Sequence, residues 1–329
     1  MTRHRFFLTI AALTLFVSPL MALENVSFLF AGGMEDLRQK ERMEKEISHL
    51  LTEVNNAANE GRALFLSNIS ITPKARKALS NLWQTSMFRC DYDQNVQPCL
   101  TAVTGCEVRG IAITMLADNI AGDKQRELVI CFNKGAITDV HLALSSNMYQ
   151  EWMYGSRSIT DKRRLTEILS FVERFRSFYN EKDLESLEKI FSEDALIITG
   201  NVIKTSKKTK GEKNPNMRVE EKIVYNVQNK QNYLNKLSRI FNSNKQIYLT
   251  FDEVKPYPHK SKSNWYGVSL RQNWKSDRYE DDGYVFLLWE FFDDNRPPVI
   301  HIRTWQPYML NNKPLDKDSV FDIDNFLIP

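Results

Sequence analysis

Several signatures of familiar chemistry are missing from these 329 residues. There is no glycine-rich loop to cradle a phosphate, no GxSxG turn to present a nucleophilic serine, and no HExxH helix to hold zinc. Beyond the first segment the histidines are His49, His141, His259 and His301, scattered and without metal-ligand spacing. Cysteine is scarce: Cys90, Cys99, Cys106 and Cys131 all lie in the first half, and the paired CxxC motifs of a structural zinc site are lacking. "DYD" at Asp91 to Asp93 offers two carboxylates but not the glycine-bearing loop that calcium needs. A formal net charge of +3 makes no electrostatic case for bulk nucleic-acid binding. No cofactor, no metal and no nucleic-acid partner are therefore expected.

The N-terminus carries the clearest positive signal. "MTRHR" is basic, "FFLTIAALTLFV" (Phe6 to Val17) is uninterruptedly apolar, and "SPLMA" breaks the helix and ends in a small residue. That is the build of a secretory signal peptide, with cleavage expected after Ala22. A buried N-terminal helix or an uncleaved anchor is the other reading of the same run. No cysteine follows the apolar region, so the usual bacterial lipid attachment is not expected. Loss of residues 1–22 removes Arg3 and Arg5 and lowers the formal charge from +3 to +1. No later run is apolar for long enough to span a bilayer, so the processed chain should be soluble, periplasmic or extracellular, with no stable membrane span. Four cysteines in an exported chain permit two disulfides. Cys90 with Cys99, which bracket a short loop, and Cys106 with Cys131, at or beside consecutive strands, is the preferred pairing; buried free thiols are the alternative.

At 42% hydrophobic and 26% charged residues, the chain can bury about two domain cores. Met34 to Glu60 predicts a long helix, with Leu37, Ile47, Leu50, Leu51 and Val54 at helical spacing. A second should follow Thr72 and Pro73, a cap and a first helical residue, and run to about Phe88. "VRGIAITMLA", "RELVICF" and "AITDVHLAL" then change to a strand period. The second half repeats the plan. A helix begins near Asp161 with Leu165, Ile168, Leu169, Val172, Phe175 and Tyr179 on one face, and "KDLESLEKIF" follows, capped by Asp183. "ALIITGNVI" and "EKIVYN" predict paired strands across the lysine-rich "KTSKKTKGEKNPN", a solvated loop. A helix over Lys230 to Phe241 precedes four strands, "QIYLTFDEV", "WYGVSLRQNW", "YVFLLWEFF" and "PVIHIRTW". Gly110 to Glu127 and Gly267 to Tyr284 have the same spacing, a repeat of architecture rather than of sequence.

The order helix, helix, strand, strand, helix and four-stranded meander resembles the nuclear transport factor 2-like superfamily, which includes ketosteroid isomerase and polyketide cyclase-like proteins. The residues that carry the likeness are "ILSFVERFRSFYNEKDLESLEKIFSEDALIITG", with its Phe191, Asp194 and Ala195 turn, and the closing "VIHIRTWQP". The likeness also extends to secreted bacterial proteins of two modules. It implies an α+β fold in which a curved, mainly antiparallel sheet wraps three helices like a cone and leaves a pocket between them. The expected organisation is a signal peptide (1–22), an N-terminal α+β module of helices and meander that could be a divergent copy (23–155), the nuclear transport factor 2-like module (156–310) and a tail (311–329), docked through Phe321, Phe326 and Ile328.

An isomerase of that superfamily would need a carboxylate base and an oxyanion donor at the pocket. By strand position the resemblance offers Asp252 and Glu290, with Tyr248 or Tyr233 as donors. Strand alternation places Val299, His301, Arg303 and Trp305 on one face of "VIHIRTW", and Ile300, Ile302 and Thr304 on the other, against helices. Likewise Val285, Leu287, Trp289 and Phe291 oppose Tyr284, Phe286, Leu288, Glu290 and Phe292. Arg271, His301, Arg303 and Trp305 then form a candidate patch for an anionic or aromatic partner, either in the pocket mouth or across a module interface, with the reverse assignment of the two strand faces as the alternative. The expected function is a non-catalytic binding protein for a small molecule or protein partner, with an isomerase- or cyclase-type enzyme as the alternative and a homodimer through the sheet face as a third arrangement.

Overall fold

The computed structural model describes residues 25–326, apart from residues 33, 97–99, 103–104, 117–123, 146–147, 156–158, 208–217 and 293–295. The expected leader, Cys99, the lysine-rich stretch from residue 208 onward and Ile328 lie outside the described residues.

Strand β1 (Phe28–Phe30) precedes helix α1 (Leu37–Glu60). The helix starts later than the apolar pattern predicts because Asp36 caps it, its carboxylate accepting from the N–H groups of Arg38 and Gln39. Gly61, at φ +63°, ends it in the left-handed conformation that glycine adopts freely. Helix α2 (Pro73–Thr85) opens on Thr72 and Pro73, as their chemistry predicts. Then come β2 (Phe88–Arg89), β3 (Gln94–Val96), β4 (Leu100–Ala102), β5 (Gly105–Met115), β6 (Gln125–Asn133) and β7 (Ala136–Leu142). Strands β2, β5, β6 and β7 lie side by side and antiparallel, β4 also pairs with β5, and β1 runs parallel to β3. One face of this sheet packs Val108, Ile111, Ile130 and Val140 on α1 and α2, around Ile47, Leu51 and Leu79.

A short helix that periodicity did not predict, α3 (Met148–Gly155), leads to α4 (Lys162–Asn180) and α5 (Leu184–Ile190), whose caps are Asp161 and Asp183. Strands β8 (Phe191–Lys207) and β9 (Arg218–Gln228), helix α6 (Lys230–Ser243), and strands β10 (Ile247–Pro258), β11 (Trp265–Ser276), β12 (Glu280–Glu290) and β13 (Val299–Pro307) follow. The six strands are ordered β10-β11-β12-β13-β8-β9, antiparallel except where β13 meets β8. This curled sheet and helices α4 and α6 enclose a second core around Phe175, Leu237, Phe251, Val268 and Trp289. The fold is thus α+β, a mainly antiparallel curled sheet around helices.

Helix α4 lies between the two sheets. Its Leu165, Leu169, Val172 and Phe175 face the second core. Its Ser170, Glu173 and Arg174 meet the outer face of the first sheet through a buried polar lattice. Arg109 bonds Glu107 at 2.5 Å and Glu173 at 2.5 Å and 3.2 Å. Glu173 also accepts from the Leu144 N–H at 3.0 Å and lies 3.3 Å from His141 Nε2. Ser170 reaches Glu107, and Arg174 meets Asp139 at 2.8 Å.

The far side of the second sheet is covered by the tail. After the small hairpin of β14 (Met309–Leu310) and β15 (Lys313–Pro314), Phe321, Ile323 and Phe326 lie on Phe286, Leu288 and Ile302. The Phe286 and Phe326 rings stack 5.6 Å apart.

Two expectations are corrected here. Cys106 and Cys131 do not pair: in register Cys106 opposes Phe132 and Glu107 opposes Cys131, so the two thiols point to opposite faces of the sheet. Cys106 lies in the core at 3.7 Å from the Met43 sulfur, while Cys131 faces Arg174. Cys90, Cys106 and Cys131 are all buried, and among the described residues Cys90 and Cys131 carry free thiols. The second correction concerns β13. The register shifts between Ile300 and Ile302, opposite a shift between Leu288 and Trp289, so His301 is an extra residue and the alternation breaks. Ile300 joins the inner core, Ile302 the outer cluster under the tail, and Arg303 turns inward.

Candidate functional site

The bulge sets up the cavity. Beyond it Arg303 and Trp305, two residues apart on β13, both face into the mouth of the cone, a cavity of about 750 Å³. Register aligns Arg303 with Ile197 on β8, and Ile197 with Gln228 on β9, so arginine and glutamine lie in one row across the sheet. Gln272 on β11 stands opposite Gly283 on β12, and Trp274 opposite Asp281. Gly283 makes room for a ring: a Cβ there would come within 2.7 Å of the Trp305 indole and also strike the Gln306 carbonyl oxygen. Helix α6 supplies Tyr233, Leu237 and Ile240, and the end of α4 supplies Tyr179.

The chemistry of the lining is uneven. The Tyr179 and Tyr233 hydroxyls share a hydrogen bond of 2.5 Å. Burial pushes the Tyr179 hydroxyl well above its ordinary value. The Arg303 guanidinium stands over the Tyr233 ring, 5.2 Å from its centroid. Burial works against its charge, but Tyr233 and Tyr179 more than offset this and hold the group above its ordinary value. Asp281, the one carboxyl among the described lining residues, is pushed up by burial. Five buried polar atoms here have no hydrogen-bond partner among the described residues: Gln228 Oε1, Gln272 Oε1, Asp281 Oδ1, Arg303 Nε and Trp305 Nε1. A folded chain seldom leaves such groups unsatisfied without a reason.

The sequence-predicted residues divide between several places. Arg303, Trp305 and Tyr233 line the cavity. His301 lies on the opposite face, stacked 4.3 Å from Trp265 and bonded to Glu290 at 2.8 Å. Glu290 is therefore outside the cavity too. Arg271 also points outward, paired with Asp282 at 2.5 Å and 3.7 Å from the centre of the Tyr308 ring. Asp252 and Tyr248 line a separate cleft between β10 and the first sheet, together with Arg176. The expected patch of Arg271, His301, Arg303 and Trp305 is thus not one surface, because the bulge sends its members to both sides. Tyr179, Gln228, Gln272 and Asp281 were missed. For the three strand residues the only mark in the sequence is a polar residue where strand alternation calls for an apolar one, most visibly Gln272 between Leu270 and Trp274, while Tyr179 reads simply as part of the apolar face of its helix.

One other cluster could reach a metal ion. Cys131, Asp139 and His141 offer ligand atoms within 4.8 Å of one another. The Arg174 guanidinium already occupies the cationic place there, 3.4 Å from the Cys131 sulfur and 2.8 Å from Asp139. Burial raises the Cys131 thiol to about 12, away from the thiolate a metal needs.

No family model matches the sequence, and no curated protein does. Solved structures resemble parts of the chain. Bd1075 of Bdellovibrio bacteriovorus is 15% identical over 54% of this chain and 49% of its own, with a TM-score of 0.33, so the likeness spans about half of that protein. A nuclear transport factor 2-like protein of unknown function from Pseudomonas putida is 8% identical over 46% of this chain and 93% of its own, with a TM-score of 0.32. Another from Shewanella oneidensis is 16% identical over 43% and 98%, with a TM-score of 0.29. Most of the similar structures are described as nuclear transport factor 2-like, and each aligns with about half of this chain.

Proposed function

We propose that this chain is an exported, non-catalytic binding protein that takes a small organic molecule into the cone cavity of residues 156–310, with residues 23–155 as a second module docked behind it. The observation that carries the reading is a cavity of about 750 Å³ lined by Gln228, Gln272, Asp281 and Arg303 together with aromatic rings, which is within the usual size of a small-molecule site. Amide, carboxyl and guanidinium groups in one lining suit a ligand with polar groups of both kinds. The aromatic rings beside them suit a flat apolar body. Ligand-observed magnetic resonance with a fragment library tests this: binding to the intact chain should disappear in Gln272→Leu and Trp305→Ala variants that keep the wild-type circular dichroism. Fragments that bind all three proteins alike would count against the cavity. Export is tested by intact mass in the native host, where a chain beginning at Leu23 is expected and a retained Met1 refutes it.

One observation favours the enzymatic reading, acid–base chemistry of the isomerase or cyclase kind. The Tyr179–Tyr233 hydroxyl pair could donate to a developing oxyanion, and Asp281 is a lining carboxyl raised by burial. Incubating a bound carbonyl compound in heavy water would decide. Deuterium uptake next to the carbonyl, lost in Asp281→Asn, would mean catalysis; binding without uptake means a binding protein.

A further inference from the structure

The buried Arg109 and Arg176 and the half-buried Arg174 all have partners among the described residues. Arg109 has two carboxylates, Arg174 has Asp139, and Arg176 donates to the carbonyl oxygens of Leu142 and Ala143. Arg303 is 5% exposed, its Nε has no partner among the described residues, Tyr179 and Tyr233 stand beside it, and the charge of Asp281 reaches it without a direct ion pair. A guanidinium taken out of water with no carboxylate in contact recovers little of the hydration it loses.

Resting on the reading that the cavity binds a small molecule, we infer that its ligand is an organic carboxylate, received by the Arg303 guanidinium with the Trp305 ring beside it. Both residues project from the same strand, two residues apart and on the same side, past the bulge. A guanidinium can donate to both oxygens of a carboxylate. Charge around the cavity agrees: Lys236 and Arg278 stand exposed at its edge and Arg303 within, against the single acid Asp281. Such a funnel draws anions toward the mouth and repels cations. The aromatic rings of Tyr233 and Trp274 flank the space that the body of the ligand would fill. Gln228, Gln272 and Asn226 add polar side chains to that lining, so a hydroxylated ring acid suits the site better than a plain fatty acid.

The test uses matched pairs on the intact chain: 4-hydroxyphenylacetate, indole-3-acetate and cholate, each against its neutral carboxamide, titrated to millimolar concentration by calorimetry and magnetic resonance. At least one carboxylate should bind roughly 10- to 100-fold more tightly than its amide, the scale of a charged hydrogen bond in a buried site. Arg303→Gln should erase that ratio while leaving amide binding in place, and Arg303→Lys should restore part of it. The ratio is measured on the unaltered protein, so it stands even where a variant fails to fold. Amides that bind as tightly as their acids overturn the carboxylate inference and leave the cavity reading intact. If neither acids nor amides bind, both fall.

Discussion

Glu173 is the residue whose removal should cost most per atom. It is 1% exposed on its side chain and sits on α4, yet every partner it has belongs to the first sheet or the chain just after it. Arg109 donates to it twice, His141 stands at 3.3 Å, and the Leu144 N–H donates at 3.0 Å. In Glu173→Ala, Arg109 keeps Glu107 but loses half its compensation, and the Leu144 N–H is orphaned. Breaking a buried pair from one side costs roughly 3–5 kcal/mol, into which the orphaned N–H is folded rather than added. Glu173→Gln keeps the volume and an acceptor for Leu144, so about half that cost is expected. Urea unfolding followed by far-ultraviolet dichroism and by tryptophan fluorescence is the assay, because five of the six tryptophans lie beyond residue 150 and report on the second core. The two probes should coincide in the wild type and separate in Glu173→Ala, as the sheets cease to unfold together. The reasoning is refuted if the alanine variant loses less than about 1 kcal/mol and both probes still coincide.

The same residue makes the coupling sensitive to acid. Burial alone would raise its carboxyl, but Arg109 and then His141 overcome this and lower it from 4.5 to about 2. A carboxyl depressed in the folded state contributes stability that is complete above its unfolded value and fades as pH falls through the folded one. Wild type should therefore lose on the order of 3 kcal/mol between about pH 4.5 and about pH 2, and Glu173→Gln less.

Gly283→Ala should push Trp305 out of place and cost about 1–3 kcal/mol as an overpacked site, seen as a lower melting temperature and altered tryptophan emission; an unchanged spectrum would mean the ring is not held there. Glu181, raised to about 8 chiefly by burial and then by Asp139 and Asp183, favours folding in its protonated form and loses that advantage as pH rises through its folded value. Glu181→Gln should thus gain stability relative to wild type at about pH 9 and show little difference at about pH 4, measured by thermal melts. Cys131 should resist iodoacetamide in native buffer and react fully in denaturant without reductant, counted by mass spectrometry; no reaction in denaturant would restore a disulfide.

Much of the architecture was legible because amphipathic spacing and caps are local. Ile47, Leu50, Leu51 and Val54 identify the buried stripe of α1, and Asp161 and Asp183 mark where α4 and α5 begin. On β12 strict alternation held: Val285, Leu287 and Trp289 face the core while Phe286 and Leu288 face the tail. The cavity was harder, for a definite reason. One inserted residue at His301 reverses the parity of everything after it, and nothing in "VIHIRTW" announces the insertion. The same one-residue sensitivity misplaced Cys131 relative to Cys106. Pairings such as Arg109 with Glu173, or Tyr179 with Tyr233, join positions more than fifty residues apart and depend on how helices settle against sheets.

The strand order has a consequence in time. The strand that joins β12 to β8 is β13, residues Val299–Pro307, the last long strand of the chain. Until it arrives, the β8–β9 ribbon and the β10–β12 meander have no hydrogen bonds to each other and expose facing edges. A nascent chain that has not yet delivered residue 307 holds two half-sheets with open rims, a state prone to wrong pairing. Its completion waits on contacts more than a hundred residues apart between Ile302 and Leu196, so folding should be slow and should close in one late step. Because Arg303 and Trp305 ride on that closing strand, a chain cut short before it would lack the cavity altogether. Maturation of the sheet and creation of the site are then a single event.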